Sequence, residues 1–246
     1  MLNIVIPMAG HGSRFSSACY PDPKPLIKIG QRTMIELVVT NLRPTQPHRF
    51  IFICQQAHID RYGLGRHLSE IAPNCVVIPI AKVTQGAACT VLMAKDFIDS
   101  TTPLMIANCD QYVEIAIDDY LLHMQTKSLD GLIMTMTADD AKWSFVRLDT
   151  NDCITEVVEK VVVSNEATVG IYNYARGCDF VAAVDSMLSK QLRVNGEYYV
   201  APAYNEMIIT GSKLGYHNIG AVGSGMWGLG TPEDLAFFLS RNPEKT

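Results

Sequence analysis

The sequence predicts a three-layer α/β fold with a mixed, mostly parallel central sheet. Short, wholly apolar runs alternate with helix-length amphipathic stretches through the first half of the chain. Strands apolar on both faces belong to a sheet covered on both sides. The second half carries segments that partly alternate in polarity, with little helix between them, as half-exposed antiparallel strands do. With 246 residues, 48% of them hydrophobic, the chain suits a single domain over 1–246 with a sizeable core.

The first strand is expected over residues 2–8, followed by strands at 50–54, 75–80 and 104–108. Helical patterns fall between them near 33–42, 58–71 and 85–98. Further strands are expected at 131–137, 143–148, 154–158 and 168–175, and helices at about 178–190 and 200–210. The final helix is well signalled: Thr231 suits its cap, Pro232 its first position, and Glu233 and Asp234 its first turn. No linker, repeat or low-complexity tract interrupts the chain. In open sheets of this kind ligands bind beyond the carboxyl ends of the strands. The loop at residues 10–14 and the turn Asn108-Cys109-Asp110 are both expected at such ends.

Composition excludes several partners. Net charge is −5 and no basic block stands out, which argues against nucleic acid and anionic membrane. The seven cysteines are scattered, odd in number and show no C-x-x-C pair, so they read as small hydrophobes rather than a metal or disulfide framework. No basic leader with a long apolar stretch and no run of membrane-spanning length is present, and a reducing cytoplasm is the expected compartment.

The chemistry begins in the first thirty residues. The strand runs into Met8-Ala9-Gly10-His11-Gly12-Ser13-Arg14-Phe15, and Pro23-Lys24-Pro25 follows after a short irregular stretch. Glycines let backbone N–H groups approach phosphate oxygens without an intervening Cβ. Arg14 adds a planar fork of donors and Lys24 a mobile point charge. Together these suit a triphosphate. The dinucleotide fingerprint fails because Phe15 stands where a third glycine belongs and Pro21, Pro23 and Pro25 soon interrupt any helix. The P-loop fails because no Gly-Lys-Ser/Thr follows.

The strand, the G-x-G-[ST]-R loop and the Pro-Lys-Pro segment resemble the sugar-phosphate nucleotidyltransferases, also called pyrophosphorylases. The resemblance extends, with gaps, from residue 1 to about 239. It implies a Rossmann-like nucleotidyltransferase fold, an NTP donor, a phosphorylated small-molecule acceptor and Mg²⁺. It places Ala9, Gly10, Gly12 and Ser13 around the triphosphate, with Arg14 and Lys24 on its phosphates. Gln85 and Gly86, in Gln85-Gly86-Ala87-Ala88, resemble the segment that reads the base edge. Asp110 stands where the family has its metal-binding aspartate. Lys160, in Glu159-Lys160, resembles the lysine that holds the acceptor phosphate, although Val161 replaces the usual proline. Gly170, in Gly170-Ile171-Tyr172, resembles the glycine that lets the sugar approach the backbone, and Glu197 a glutamate near the sugar. A homo-oligomer is compatible with this reading.

One departure stands out. Many members carry Trp-x-Asp-x-Gly-Thr, whose aspartate is a second metal ligand. This chain has Trp227-Gly228-Leu229-Gly230-Thr231, with Gly228 at the aspartate position. Asp110 would then hold the metal alone, or Glu206 or another acid would substitute. The implied reaction joins an NTP to a sugar 1-phosphate and releases pyrophosphate, giving an NDP-sugar for surface polysaccharide or glycoconjugate synthesis. The alternatives are a non-sugar acceptor such as phosphocholine, and a nucleotide-binding regulatory homologue weak in catalysis.

Overall fold

The structure, a computed structural model, describes residues 1–242. Strand β1 (Leu2–Pro7) leads into α1 (Ser13–Ser17), a single 3-10 turn (Lys24–Leu26) and a ribbon of β2 (Lys28–Ile29) and β3 (Arg32–Thr33). Then come α2 (Met34–Asn41), β4 (His48–Gln55), α3 (Gln56–Tyr62), α4 (Leu64–Ile71), β5 (Val76–Ile80), α5 (Ala87–Leu92), α6 (Lys95–Ile98) and β6 (Leu104–Ala107). The second half holds β7 (Gln111–Val113), α7 (Ile117–Thr126), β8 (Gly131–Thr137), β9 (Ser144–Leu148), β10 (Ile154–Glu159) and β11 (Glu166–Tyr174). It ends with α8 (Gly177–Ser189), α9 (Ala203–Ile209), β12 (Leu214–Val222), β13 (Gly225–Gly228) and α10 (Pro232–Arg241).

Among the described residues the main sheet has eleven strands, with the path β5-β4-β1-β6-β11-β8-β12-β13-β7 and the pair β9–β10 off it. Strands β5, β4, β1 and β6 are parallel to one another, as are β8, β12 and β13. Strands β11 and β7 run against their neighbours. The expected mixed, mostly parallel sheet is therefore present.

Alternation along β1 shows why three layers form. Ile4 and Ile6 enter a core with Val38 and Val39 of α2, Leu68 of α4 and Tyr120 of α7. Val5 points to the opposite face, into a core with Val91 of α5, Phe180 of α8 and Tyr204 of α9. A third cluster joins Phe15, Ile27, Met34, Trp227, Leu229, Leu235 and Phe238. It seats the glycine loop and α10 on one foundation, so Phe15, where a dinucleotide loop would have glycine, is a core anchor.

Several elements differ from the sequence expectation. The stretch 58–71 is two helices, because Gly63 adopts a left-handed conformation (φ 63°) between α3 and α4. The stretch 85–98 splits likewise into α5 and α6. The five-residue α1 opens directly after Gly12, where an irregular stretch is expected, and ends before the proline cluster. Helix α7 and strands β7, β12 and β13 are additions. Helix α10 follows its signals, with Pro232 at its start and the Thr231 side chain accepting from the Asp234 backbone N–H at 3.1 Å. The seven cysteines are all free. No helix among the described residues is long and apolar enough to cross a membrane.

Candidate active site

A cavity of about 350 Å³ opens beyond the carboxyl ends of β1 and β6, a size suited to a small-molecule ligand. Arg14, Asp110, Lys160 and Gly170 line it, four of the residues predicted to act. Lys24 joins them through Asp110: its Nζ donates to Asp110 Oδ2 at 2.8 Å. The two residues are 86 positions apart. Burial works to strip the Lys24 proton. The Asp110 charge and hydrogen bond, helped by Cys109 and opposed by Arg14, outweigh it and hold the ammonium above the usual lysine range.

The loop is shaped by contacts that a sequence does not display. Gln55, at the end of β4, donates through Nε2 to the carbonyls of Ala9 and Gly10, both at 3.0 Å. Gly12 lies with φ 61°, and a Cβ there would lie 3.5 Å from Lys24 Cβ. Ser13 is the first residue of α1. Gly10, Gly12, Ser13 and Ala9 thus flank Arg14 without themselves lining the cavity.

Gln85 and Gly86 lie beside Ala87, which lines the cavity. Gln85 Oε1 accepts from Arg193 Nη2 at 2.8 Å, leaving its amide donors free of that contact. Gly86 (φ 133°) faces the Tyr198 backbone, and a Cβ there would fall 2.4 Å from the Tyr198 carbonyl oxygen. Only glycine permits this approach. It packs the Gln85 segment against the strip that carries Glu197. Glu197 itself is exposed and is not a lining residue; its charge is felt at Glu159 and Lys160.

On the acceptor side, Lys160 follows β10 in a left-handed conformation, φ 59°. That is a strained position for a residue with a side chain and is more frequent at functional sites. Lys160 Nζ donates to Tyr199 Oη at 2.8 Å, a bond that raises its proton affinity. Glu159 is buried and bonded to the Ser144 hydroxyl. Burial raises the Glu159 pKa, while the Ser144 bond and the Lys160 charge pull it back. Gly170 (φ 83°) is where the β11 register shifts. A Cβ there would fall 2.2 Å from Asn108 Nδ2 and 2.6 Å from Gln111 Oε1. Sequence reasoning missed Gln111, Ser144, Glu159 and Tyr199 as lining residues. Trp143 lines the cavity as well.

The position of the absent aspartate is also clear. Gly228 and Gly230 line the cavity. A Cβ at Gly230 would lie 2.7 Å from Asp110 Oδ2, and one at Gly228 would lie 3.3 Å from Asp234 Cγ and 3.4 Å from its Oδ2. Glu206 is no substitute: it is buried against Lys190 and Ser186, away from this cavity. Among the described residues no three His, Cys, Asp or Glu side chains converge as a metal cage. The Asp110 donor set still fits Mg²⁺, which takes one or two carboxylates and completes its shell with phosphate oxygens and water. Glycine at 230 leaves the Asp110 oxygen room to accept such a partner.

Comparison with solved structures finds the same fold. A nucleoside-diphosphate-sugar pyrophosphorylase from Vibrio cholerae RC9 is 25% identical with a TM-score of 0.81, covering 96% of this chain and 99% of that one. A putative glucose-1-phosphate thymidylyltransferase from Bacillus anthracis is 20% identical with a TM-score of 0.74, covering 98% and 96%. The inositol-1-phosphate CTP transferase of T. maritima is 13% identical with a TM-score of 0.75, covering 98% and 96%. No curated protein matches the sequence. With Arg14 and Asp110 lining one cavity and Lys24 bonded to Asp110, residues 4–207 match the nucleotidyl transferase family, and the chain belongs to that family: it is a nucleotidyltransferase of the sugar-nucleotide pyrophosphorylase type.

Proposed function

We propose that this nucleotidyltransferase, a single domain over residues 1–246, joins an NTP to a sugar 1-phosphate in a Mg²⁺-dependent reaction. It releases pyrophosphate and forms an NDP-sugar for surface polysaccharide or glycoconjugate synthesis. The observation that carries this reading is one cavity lined by cations from both halves of the chain, Arg14 and Lys160, with the Lys24–Asp110 pair between loop and sheet. In the proposed reaction Arg14, Lys24 and the loop N–H groups bind charge that grows on departing pyrophosphate. Lys160 holds the acceptor phosphate so that its oxygen attacks the α-phosphorus in line. Catalysis is positioning plus electrostatics, with no covalent intermediate on the protein. Asp110 would hold Mg²⁺, which when bound would neutralise charge on the phosphates.

The resting Lys24–Asp110 bond adds a feature: a triphosphate must share or displace the Asp110 carboxylate to reach the Lys24 ammonium. The acceptor is favoured to be a sugar phosphate over phosphocholine, because a choline headgroup seeks a free aromatic face. The Lys142 and Lys160 ammonium groups lie 5.0 and 4.9 Å from the ring centres of Trp143 and Tyr199, like charges that oppose a quaternary ammonium there. The test is pyrophosphate release across the four NTPs and a panel of sugar 1-phosphates, inositol 1-phosphate and phosphocholine. Release with a sugar 1-phosphate supports the proposal. Binding of NTP without release under any combination would refute it and leave a regulatory nucleotide binder.

A further inference from the structure

We infer that a cavity at the amino end of the sheet, between α7 and strands β1 and β11, is a second ligand site. Its ligand is a compact, neutral, mostly apolar molecule that carries a hydrogen-bond donor.

The cavity holds about 220 Å³ and lies where Leu2 begins β1 and Pro103 precedes β6. The catalytic cavity lies beyond the other ends of the same two strands, and no described residue lines both. Leu121 and Met124, buried on α7, form one wall, and Leu2 and Leu129 add further apolar surface. Among the described residues no lining side chain carries a charge. An ionised ligand therefore loses its hydration here without gaining a counter-charge from these side chains. An apolar cavity of about 150 Å³ accepts benzene, so this one has room for a substituted aromatic ring.

Asn173 supplies the polar contact. It lies on β11, where Tyr172 and Tyr174 enter the core shared with α8 and α9. Residue 173 alternates to the opposite face, toward α7. Its cross-strand partners, Met105 on β6 and Leu132 on β8, both belong to the core on that side. Asn173 is 1% exposed and lines the cavity. Its Oδ1 is buried without a hydrogen-bond partner among the described residues. A buried amide oxygen left unpaired between methionine and leucine is costly, and a donor brought in by a ligand removes that cost.

The other amide and hydroxyl side chains of the lining are placed differently. Gln125 and Ser128 are exposed and Gln46 is half-buried. Polar groups thus stand toward solvent, the walls are apolar, and one carboxamide is buried among them. An ordered water wants about two to four polar partners, which apolar walls do not offer. Apolar walls with a few fixed polar groups are what a small organic ligand needs: the walls give affinity and the amide sets orientation.

The test titrates benzamide, toluene and benzoate into the purified full chain and reads backbone amide shifts by nuclear magnetic resonance. Benzamide pairs a ring with an amide donor, toluene lacks the donor, and benzoate carries a charge. Benzamide is expected to saturate, shifting Leu121, Gln125 and Asn173 and leaving Arg14 and Lys160 unmoved; benzoate is expected to shift none of them. In Asn173→Leu the affinity for benzamide relative to toluene is expected to fall by about three- to tenfold, the worth of one hydrogen bond. That variant loses no hydrogen bond of the Asn173 Oδ1 atom, and its melting temperature is expected to stay near that of wild type. A second variant, Gln125→Trp, changes an exposed residue of α7 at the cavity and is expected to weaken benzamide and toluene together by obstructing entry. No saturable benzamide shift in wild type would leave the cavity a site for water only and overturn the inference. An unchanged benzamide-to-toluene ratio in Asn173→Leu would overturn it too, as would benzoate binding as tightly as benzamide. Pyrophosphate release is read in a separate assay, so the proposed reaction stands or falls apart from this site.

Discussion

Lys24→Met removes the ammonium at the centre of the site and keeps most of its apolar stem. The pair it breaks is 2.8 Å long. Two unit charges at that distance attract by about 6 kcal/mol at an effective dielectric near 20. Burial of the ammonium opposes this and is the largest single influence on Lys24, so the net value is that of one charged hydrogen bond, about 1.5–3 kcal/mol. A loss of about 2 kcal/mol lowers the melting temperature of a chain this size by about 4–8 °C. The effect on turnover is larger, because the proposed role of Lys24 grows as charge develops on the leaving pyrophosphate. Removing one preorganised electrostatic partner lowers kcat by about 10²–10³-fold, or about 2.7–4 kcal/mol of barrier. The assay is pyrophosphate release at saturating NTP, paired with thermal denaturation. A variant that melts early but turns over at the wild-type rate would show that Lys24 is structural and sink its catalytic assignment.

Gly170→Ala places a Cβ 2.2 Å from Asn108 Nδ2 at a positive φ; strain and overpacking together should cost about 2–4 kcal/mol, and an unchanged urea midpoint would contradict the close approach. Thr231→Ala removes the acceptor that caps α10; denaturation should show a loss of about 1 kcal/mol, with Thr231→Ser restoring most of it. His123 and His217 meet Nδ1 to Nδ1 at 2.7 Å, a contact that needs one of the two nitrogens unprotonated. Both pKa values are lowered, chiefly by burial and then by nearby positive charge. Their stabilising contribution is therefore present above the unfolded value near 6.5 and lost as pH falls through the lower folded values. Melting temperature should drop as pH falls below about 6.5, and His217→Asn should flatten that slope; an identical slope in the variant would refute the assignment.

The elements legible in the sequence are those whose own residues carry the signal. Strand β1 reads as a strand because it is buried along nearly its whole length, and α10 because its cap, proline and acids are local. Helix α7 left a readable trace in Ile117, Tyr120, Leu121 and Met124, all buried at helical spacing, which the expectation overlooked. Strand β12 left little, since only Leu214 in it is fully buried. Within the site, Arg14, Lys24, Asp110 and Lys160 were readable as residue types in characteristic segments. Gln55, Ser144 and Tyr199 were not, because each acts on a partner distant in sequence.

By itself the sequence determined the sheet's alternating layers, the glycine loop and the cations that mark the donor half of the reaction. Those depend on residue type and short-range spacing. Tertiary structure alone decided which charges meet. Lys24 reaches Asp110 across 86 positions, Gly86 admits the Tyr198 backbone, and Gly228 faces the carboxylate of Asp234. The physical reason is that a missing Cβ has no local signature. Its meaning lies in the atom that occupies the space, and only the folded chain brings that atom there.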